Sequence, residues 1–110
     1  MNAQQLHDAL KKIQEPKGCH FNADASMTMA LMESLLTNKE RLGYMACPCR
    51  LANGTLEADR DIVCPCEYRE ADMAEYGACF CGLYVTSDWN AGKREHEYVP
   101  ERRPVERILG

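Results

Sequence analysis

Apolar residues in the N-terminal part of the chain recur at the spacing of two amphipathic helices. The second pattern begins after Asp24, a residue type that caps helix N-termini, and ends near Gly43, a residue type common just after a helix. Its apolar positions are Met27, Leu31, Leu35 and Leu36. The first pattern runs up to Pro16 and contains Ala3, Leu6, Ala9, Leu10 and Ile13. We expect both helices to serve mainly as scaffold.

From Tyr44 onward the apolar pattern becomes short and irregular, which indicates short helices and loops. The triplet Asn53-Gly54-Thr55 predicts a turn, and the segment from Glu67 predicts a short helix that ends at Gly77. No two segments show the alternation that is typical of paired strands. Residues 86–110 are charged and twice interrupted by proline, so we expect them to wrap the surface. The pattern predicts a mainly α fold, a small single domain of short helices and loops.

Composition and charge exclude several classes of function. A chain of 110 residues fits one domain, and its net charge of −4 is not that of a general nucleic-acid or membrane-surface protein. We therefore expect no nucleic-acid partner and no membrane partner. The N-terminus lacks the continuous apolar core of a signal peptide, and no uncharged apolar run is long enough to cross a bilayer. We predict a cytoplasmic protein.

The chemistry of the chain lies in its seven cysteines, six of which form three Cys-x-Cys pairs. In a reducing cytoplasm, this density of thiols indicates metal binding or redox catalysis rather than a disulfide scaffold. Proline in the middle of the first two pairs restricts the backbone, so their thiols are preorganised. A [4Fe-4S] cluster takes four thiolates, and the two cysteines that remain suffice for one dithiol–disulfide couple. The pairs are Cys47/Cys49, Cys64/Cys66 and Cys79/Cys81.

Two simpler interpretations remain open on the residues alone. Four of the cysteines would also suit a structural zinc ion, although zinc sites favour Cys-x₂₋₄-Cys over Cys-x-Cys spacing. A plain electron-carrying ferredoxin would likewise use four cysteines, but the bacterial ferredoxin run Cys-x₂-Cys-x₂-Cys-x₃-Cys is absent from this sequence. Either protein would be a noncatalytic module rather than an enzyme.

The segments NKERLGYMACPCRL and DRDIVCPCEYREADMAEYGACFCGLYV resemble the catalytic subunit, or beta chain, of ferredoxin:thioredoxin reductase. The hallmark of that family is two Cys-Pro-Cys triplets followed by Cys-His-Cys, and the likeness covers roughly residues 21–85. The resemblance implies a catalytic core at about residues 18–85, built around a [4Fe-4S] cluster, with residues 86–110 as a charged extension. Two departures from the family pattern are visible. The spacer at residues 67–78 is longer than in plants, which resembles the divergent prokaryotic branch, and Phe80 replaces the family histidine.

The resemblance also implies how the six paired cysteines divide their work. Two of them, Cys49 and Cys81, would form the redox-active disulfide beside the cluster. Ferredoxin, or a similar one-electron donor, would deliver the electrons, and thioredoxin or a thioredoxin-like disulfide protein would receive them. In the half-reduced state Cys81 is held by the cluster while Cys49 attacks the target disulfide. A small second subunit is a further possible partner. The implied cluster ligands are Cys47, Cys64, Cys66 and Cys79.

Several neighbouring residues raise separate expectations. Arg50 follows the attacking cysteine and would lower its pKa, unless it is an ordinary solvated arginine. We expect Phe80 to pack over the cluster, because phenylalanine cannot transfer a proton. His20 is the histidine best placed along the sequence to act instead, and Cys19 is expected to be a small structural thiol.

An acidic electron donor would need a local positive patch on this acidic chain. The basic residues near the cysteine pairs and in the extension are the candidates for that patch. They are Lys39, Arg41, Arg50, Arg60, Arg69, Arg102, Arg103 and Arg107.

Overall fold

The computed structural model describes residues 1–109, and its regular structure is mostly helical, which confirms the mainly α prediction. Short loops join the elements, and single 3₁₀ turns lie at Glu15–Lys17 and Arg60–Ile62. In chain order the elements are α1 (Ala3–Gln14), β1 (His20–Phe21), α2 (Ala25–Leu42), α3 (Leu56–Asp59), α4 (Arg69–Tyr76), β2 (Tyr84–Val85), α5 (Ser87–Asn90) and α6 (Val105–Ile108).

The two N-terminal helices lie where the apolar spacing places them. The side chain of Asp24 accepts a hydrogen bond from the Met27 amide at 3.1 Å, so the predicted N-cap of α2 is confirmed. Gly43 ends α2 in the left-handed region at φ +90°, a conformation that costs glycine little. Helix α1 begins with a reciprocal capping box between Asn2 and Gln5.

The predicted turn and the predicted third helix are also present. Thr55 caps α3, its hydroxyl accepting a hydrogen bond from the Ala58 amide at 3.3 Å, directly after the turn at Gly54. Helix α4 begins at Arg69, two residues later than the sequence indicates. It ends at Gly77, whose amide donates to the Met73 carbonyl at 2.8 Å.

The prediction that the chain contains no paired strands is wrong. Strands β1 and β2 pair antiparallel, with His20 opposite Val85 and Phe21 opposite Tyr84. Each strand has two residues, which is too short for an alternating pattern to be visible in the sequence. The rings of Phe21 and Tyr84 lie 5.5 Å apart across the pair. This small sheet fixes the segment after the third cysteine pair against the start of α2.

The main core lies between α1, α2 and the cysteine-bearing loops. Two predicted core positions are wrong: the side chains of Ile13 and Met27 are 53% and 38% exposed. Buried Gln14 is part of the inner face of α1, because its amide oxygen accepts a hydrogen bond from Arg69 at 2.7 Å. Thr28 is buried in α2 and donates to the Asn22 carbonyl. The fully buried apolar residues include Met32, Leu35, Ile62, Leu83 and Tyr84.

The C-terminal extension follows the surface but sends side chains into the interior. Val99 packs in a second small cluster with Ala78 and Val85. The buried Arg103 guanidinium donates to the Asp61 carboxylate and to the carbonyls of Leu51 and Ala58, at 2.9 to 3.2 Å. These contacts fix the extension to the loop between the first two cysteine pairs. Among residues 1–109, no helix combines the length and the apolar character needed to span a membrane.

Candidate functional site

The three cysteine pairs converge on one narrow, partly open cavity. Five of the six paired cysteines are part of its wall, together with four other residues. The sixth, Cys49, is exposed at the surface, and Cys19 is buried elsewhere in the core. The wall consists of Cys47, Cys64, Pro65, Cys66, Arg69, Cys79, Phe80, Cys81 and Tyr84.

Backbone hydrogen bonds align the first two pairs with each other. The Cys47 amide donates to the Ile62 carbonyl and the Cys64 amide donates to the Met45 carbonyl, both at 2.8 Å. These two bonds make an antiparallel bridge at Ala46. After Cys47 the chain turns, because the Arg50 amide donates back to the Cys47 carbonyl at 3.2 Å. The turn directs Cys47 inward while Cys49 faces solvent.

Strand β2 positions the third pair. The amide of Cys79 donates to the Tyr84 carbonyl at 2.9 Å, and the Tyr84 amide donates to the Cys79 sulfur at 3.3 Å. Between them the chain makes a tight turn at Gly82, which has φ +76°. The sulfur atoms of Cys79 and Cys81 lie 3.7 Å apart. Both cysteines of this pair are therefore buried side by side.

The clustered cysteines change one another's pKa values, and Cys81 is the most strongly affected. Hydrogen bonds to Cys47, Cys49 and Cys79, together with burial, raise the pKa of Cys81 well above its ordinary value. The same hydrogen bonds from Cys81 lower the pKa of Cys47 and bring that of Cys79 to about 7. The Cys81 thiol thus keeps its proton more firmly than the thiols around it.

The exposed Cys49 has the properties of an attacking thiol. Its hydrogen bond with Cys81 lowers the pKa of Cys49 to about 7, and the positive charge of Arg50 acts in the same direction to a smaller extent. A thiolate is the nucleophile in disulfide exchange, so a lowered pKa makes it available near neutral pH. By contrast, burial raises the pKa of the Cys64 and Cys66 thiols.

Arg50 is not a solvated surface arginine, so that alternative interpretation is wrong. Its side chain is fully buried, with the guanidinium 4.5 Å from the Phe80 ring centroid and 5.0 Å from that of Tyr68. It forms ion pairs with Glu101 and with Asp72. Aromatic faces attract a desolvated cation, and the two carboxylates supply the opposite charge that a buried guanidinium requires.

Burial also corrects the predicted positive patch. Arg50, Arg69 and Arg103 are buried and paired with carboxylates, so they cannot belong to an exposed docking surface. The sequence could not predict this burial, because the carboxylates that pair with Arg50 and Arg103 lie far from them in the chain. The other candidates are exposed: Lys39, Arg41, Arg60, Arg102 and Arg107.

Phe80 lies in the cavity wall, whereas His20 does not. The Phe80 ring forms one side of the cavity beneath Arg50, which agrees with the expected packing role. The His20 ring lies 3.7 Å from the Glu15 carboxylate, is partly exposed and is not part of the cavity wall. Sequence reasoning missed Arg69 and Tyr84, which also form the wall. Both lie within ordinary helix and strand patterns, so no local signal marks them.

The donor set of the cavity fits a [4Fe-4S] cluster. Cys47, Cys64, Cys66 and Cys79 all face it, and four thiolates are the usual ligands of that cluster. No three His, Cys, Asp or Glu side chains within the described residues 1–109 come together as ligands of a single metal ion. Arg69 in the wall supplies positive charge beside the buried sulfurs.

Comparison with known proteins gives one consistent result. The family model described as "Ferredoxin thioredoxin reductase catalytic beta chain" matches residues 1–106. The ferredoxin-thioredoxin reductase catalytic chain of Synechocystis sp. is 34% identical over 71 residues, which are 63% of this chain. The chloroplastic chain of Spinacia oleracea is 33% identical over 89 residues, or 78% of this chain.

The matches cover unequal shares of the relatives. They span 57% of the Synechocystis protein and 59% of the spinach protein. The catalytic chain of Guillardia theta, 33% identical over 86 residues and 73% of this chain, is covered over 80% of its length. The chain therefore spans somewhat more than half of the cyanobacterial and spinach proteins that it matches.

Proposed function

Because this chain belongs to the ferredoxin thioredoxin reductase catalytic beta chain family, we propose that it is an iron–sulfur disulfide reductase that receives electrons one at a time. The observation that supports this most directly is the division of the six paired cysteines. Five face one buried cavity, and one, Cys49, is exposed beside it. A noncatalytic electron carrier or a structural zinc site would have no use for an exposed thiol with a lowered pKa beside the cavity.

In this proposal four cysteines hold the cofactor and two exchange disulfides. The four ligands would be Cys47, Cys64, Cys66 and Cys79. A bound [4Fe-4S] cluster would supply one-electron storage next to the exchanging thiols. The protein would contribute a cavity whose wall includes the positive charge of Arg69 and the apolar ring of Phe80.

The exchange itself would use Cys49 and Cys81. The Cys49 thiolate attacks one sulfur of the target disulfide, which forms a mixed disulfide and releases one target thiolate. Cys81 then loses its proton and attacks the Cys49 sulfur, which releases the second target thiolate and leaves a Cys49–Cys81 disulfide. Two electrons, delivered singly, and one proton reopen that disulfide and restore the Cys49 thiolate and the Cys81 thiol. Cys81 lies in the cavity wall and is the residue that most strongly lowers the pKa of Cys49, which supports this pairing of the two thiols.

The proposed partners follow from the family name. The donor would be ferredoxin or a similar one-electron carrier, and the substrate would be thioredoxin or a thioredoxin-like disulfide protein, with a small second subunit as a further proposed partner. The candidate docking patch includes the exposed Lys39, Arg41 and Arg60, which form no ion pair within residues 1–109. The reducing cytoplasm is the proposed compartment, because buried paired thiols stay reduced there.

Anaerobic purification with iron and sulfide analysis tests the proposal. The parent should carry a cluster, and Cys66→Ala should lose it. Cys49→Ser should keep the cluster but lose disulfide reduction, whereas Cys19→Ser, a change to a buried cysteine outside the cavity, should keep both. A colourless Cys49→Ser protein, or a parent that carries zinc without sulfide, would overturn the assignment.

A further inference from the structure

Tyr84 places a hydroxyl group in the interior without a hydrogen-bond partner. The residue is 1% exposed, and its hydroxyl oxygen is a buried polar atom with no partner within the described residues. A buried hydroxyl without a partner is destabilising, so natural proteins rarely retain one. The Tyr84 ring is held firmly, 5.5 Å from the Phe21 ring and with the Arg69 guanidinium 4.9 Å from its centroid.

The surroundings of Tyr84 leave sulfur as the acceptor available to its hydroxyl. Tyr84 is part of the wall of the cysteine cavity. Of the other side chains in that wall, Pro65 and Phe80 carry no acceptor, and Arg69 only donates. The remaining wall side chains are the cysteines themselves.

Tyr84 is also suited to donate rather than to accept. Burial raises the pKa of Tyr84, so the hydroxyl keeps its proton. A guanidinium over the ring face draws electron density from the ring, which favours donation by the hydroxyl.

We propose that the Tyr84 hydroxyl donates a hydrogen bond to a sulfur atom of the bound iron–sulfur group and thereby raises its reduction potential. This inference rests on the proposed function. A donor near cluster sulfur stabilises the more negative, reduced state, which is one of the ways a protein sets such a potential. Tyr84 would thus supply a polar contact in the cavity in which Phe80 offers only apolar cover.

Redox titration of the loaded full-length protein tests the inference with two opposite changes. Tyr84→Phe keeps the ring and removes the hydroxyl, so the equilibrium constant for one-electron reduction should fall by up to about tenfold, or about 59 mV for a one-electron couple. Incorporation of 3-fluorotyrosine at position 84 makes the hydroxyl a stronger donor, and the potential should rise. Tyr98→Phe is the matched control, because Tyr98 is 83% exposed. The reduction potential of this variant should equal that of the parent.

The outcomes separate this inference from the proposed function. If the parent loads a cluster and both changes at position 84 leave its potential unchanged, the inference is wrong and the proposed function stands. If the parent takes up no iron and sulfide, the proposed function is wrong, and the inference with it. If Tyr84→Phe fails to fold, the fluorinated protein decides: a potential equal to that of the parent overturns the inference, and a higher one supports it.

Discussion

The guanidinium of Arg50 forms an ion pair with the carboxylate of Glu101, a residue of the C-terminal extension. Arg50 directly follows the exposed Cys49, and its guanidinium packs on Phe80 in the cavity wall. The Glu101 carboxylate also accepts a hydrogen bond from the Arg103 amide at 2.8 Å. The extension therefore supports the cysteine site from behind instead of lying apart from it.

We expect Glu101→Gln to lower the free energy of unfolding by about 1–3 kcal/mol, because it leaves the buried Arg50 charge with fewer acceptors. The lower part of this range is favoured by the 30% exposure of the Glu101 side chain, since water screens the pair. Urea unfolding measures the effect. Glu95→Gln, an equal loss of charge at an exposed site of the same extension, is the control. Equal stabilities of the two variants would contradict the prediction.

The sequence predicts those parts of the fold that depend on neighbouring residues. Asp24 and Gly43 mark the two ends of α2 through contacts within a few residues. The residue type and spacing of the cysteine pairs likewise indicate metal binding or redox chemistry. The pairing of β1 with β2 depends on residues far apart in the chain, and two-residue strands carry no pattern of their own. The burial of Arg103 likewise depends on its ion pair with Asp61, which is far from it in the chain. The charges of neighbouring residues therefore could not predict it.

Arg103→Met should lower the free energy of unfolding by about 3–5 kcal/mol, because it leaves the buried carboxylates of Asp59 and Asp61 without their buried cation. Arg107→Met is the matched change at an arginine that also faces Asp61 but is half exposed. We expect that variant to remain close to the parent, since water screens the pair. Urea unfolding of both proteins checks this. If Arg107→Met were the more destabilised variant, the buried role of Arg103 would be wrong.

Acid should destabilise the loop between the first two cysteine pairs. Burial alone would raise the pKa of Asp59, but hydrogen bonds from Tyr44 and from the amides of Asn53 and Gly54 outweigh it, and the pKa lies below its usual value. Hydrogen bonds from Tyr68 and Arg103 likewise outweigh burial at Asp61 and lower its pKa. Both carboxylates therefore stabilise the fold above their unfolded pKa of about 3.9, and this stabilisation is lost as the pH falls through the lower folded pKa.

The free energy of unfolding, measured between pH 6 and pH 3, should fall by up to about 1.4 kcal/mol per pH unit for each carboxylate in the acid part of this range. Asp59→Asn should be less stable than the parent at pH 6 and should show a shallower fall toward pH 3. An Asp59→Asn protein with the same acid profile as the parent would show that this carboxylate does not contribute to it.

Alkylation should distinguish Cys49 from Cys19 in the reduced protein. Cys49 is exposed and its hydrogen bond with Cys81 brings its pKa to about 7, whereas Cys19 is 3% exposed and burial raises its pKa. Iodoacetamide reacts with the thiolate, so Cys49 should be modified first, with a rate that rises through pH 7 rather than through the ordinary value of about 8.5. Mass spectrometry of the peptides identifies the modified residue. Faster modification of Cys19 would contradict the arrangement of the site.

Phe80→His restores the residue that the family motif carries and tests whether this position packs or transfers protons. The Phe80 ring is part of the cavity wall and lies 4.5 Å from the Arg50 guanidinium, so replacement by imidazole should weaken a desolvated cation–π contact. We expect a loss of about 2 kcal/mol in unfolding free energy, a shifted reduction potential and no gain in turnover. Phe80→Tyr keeps the aromatic face and should stay close to the parent in stability. Faster turnover by Phe80→His than by the parent would show that a proton-transferring group is missing at this position, and that packing is not its main role.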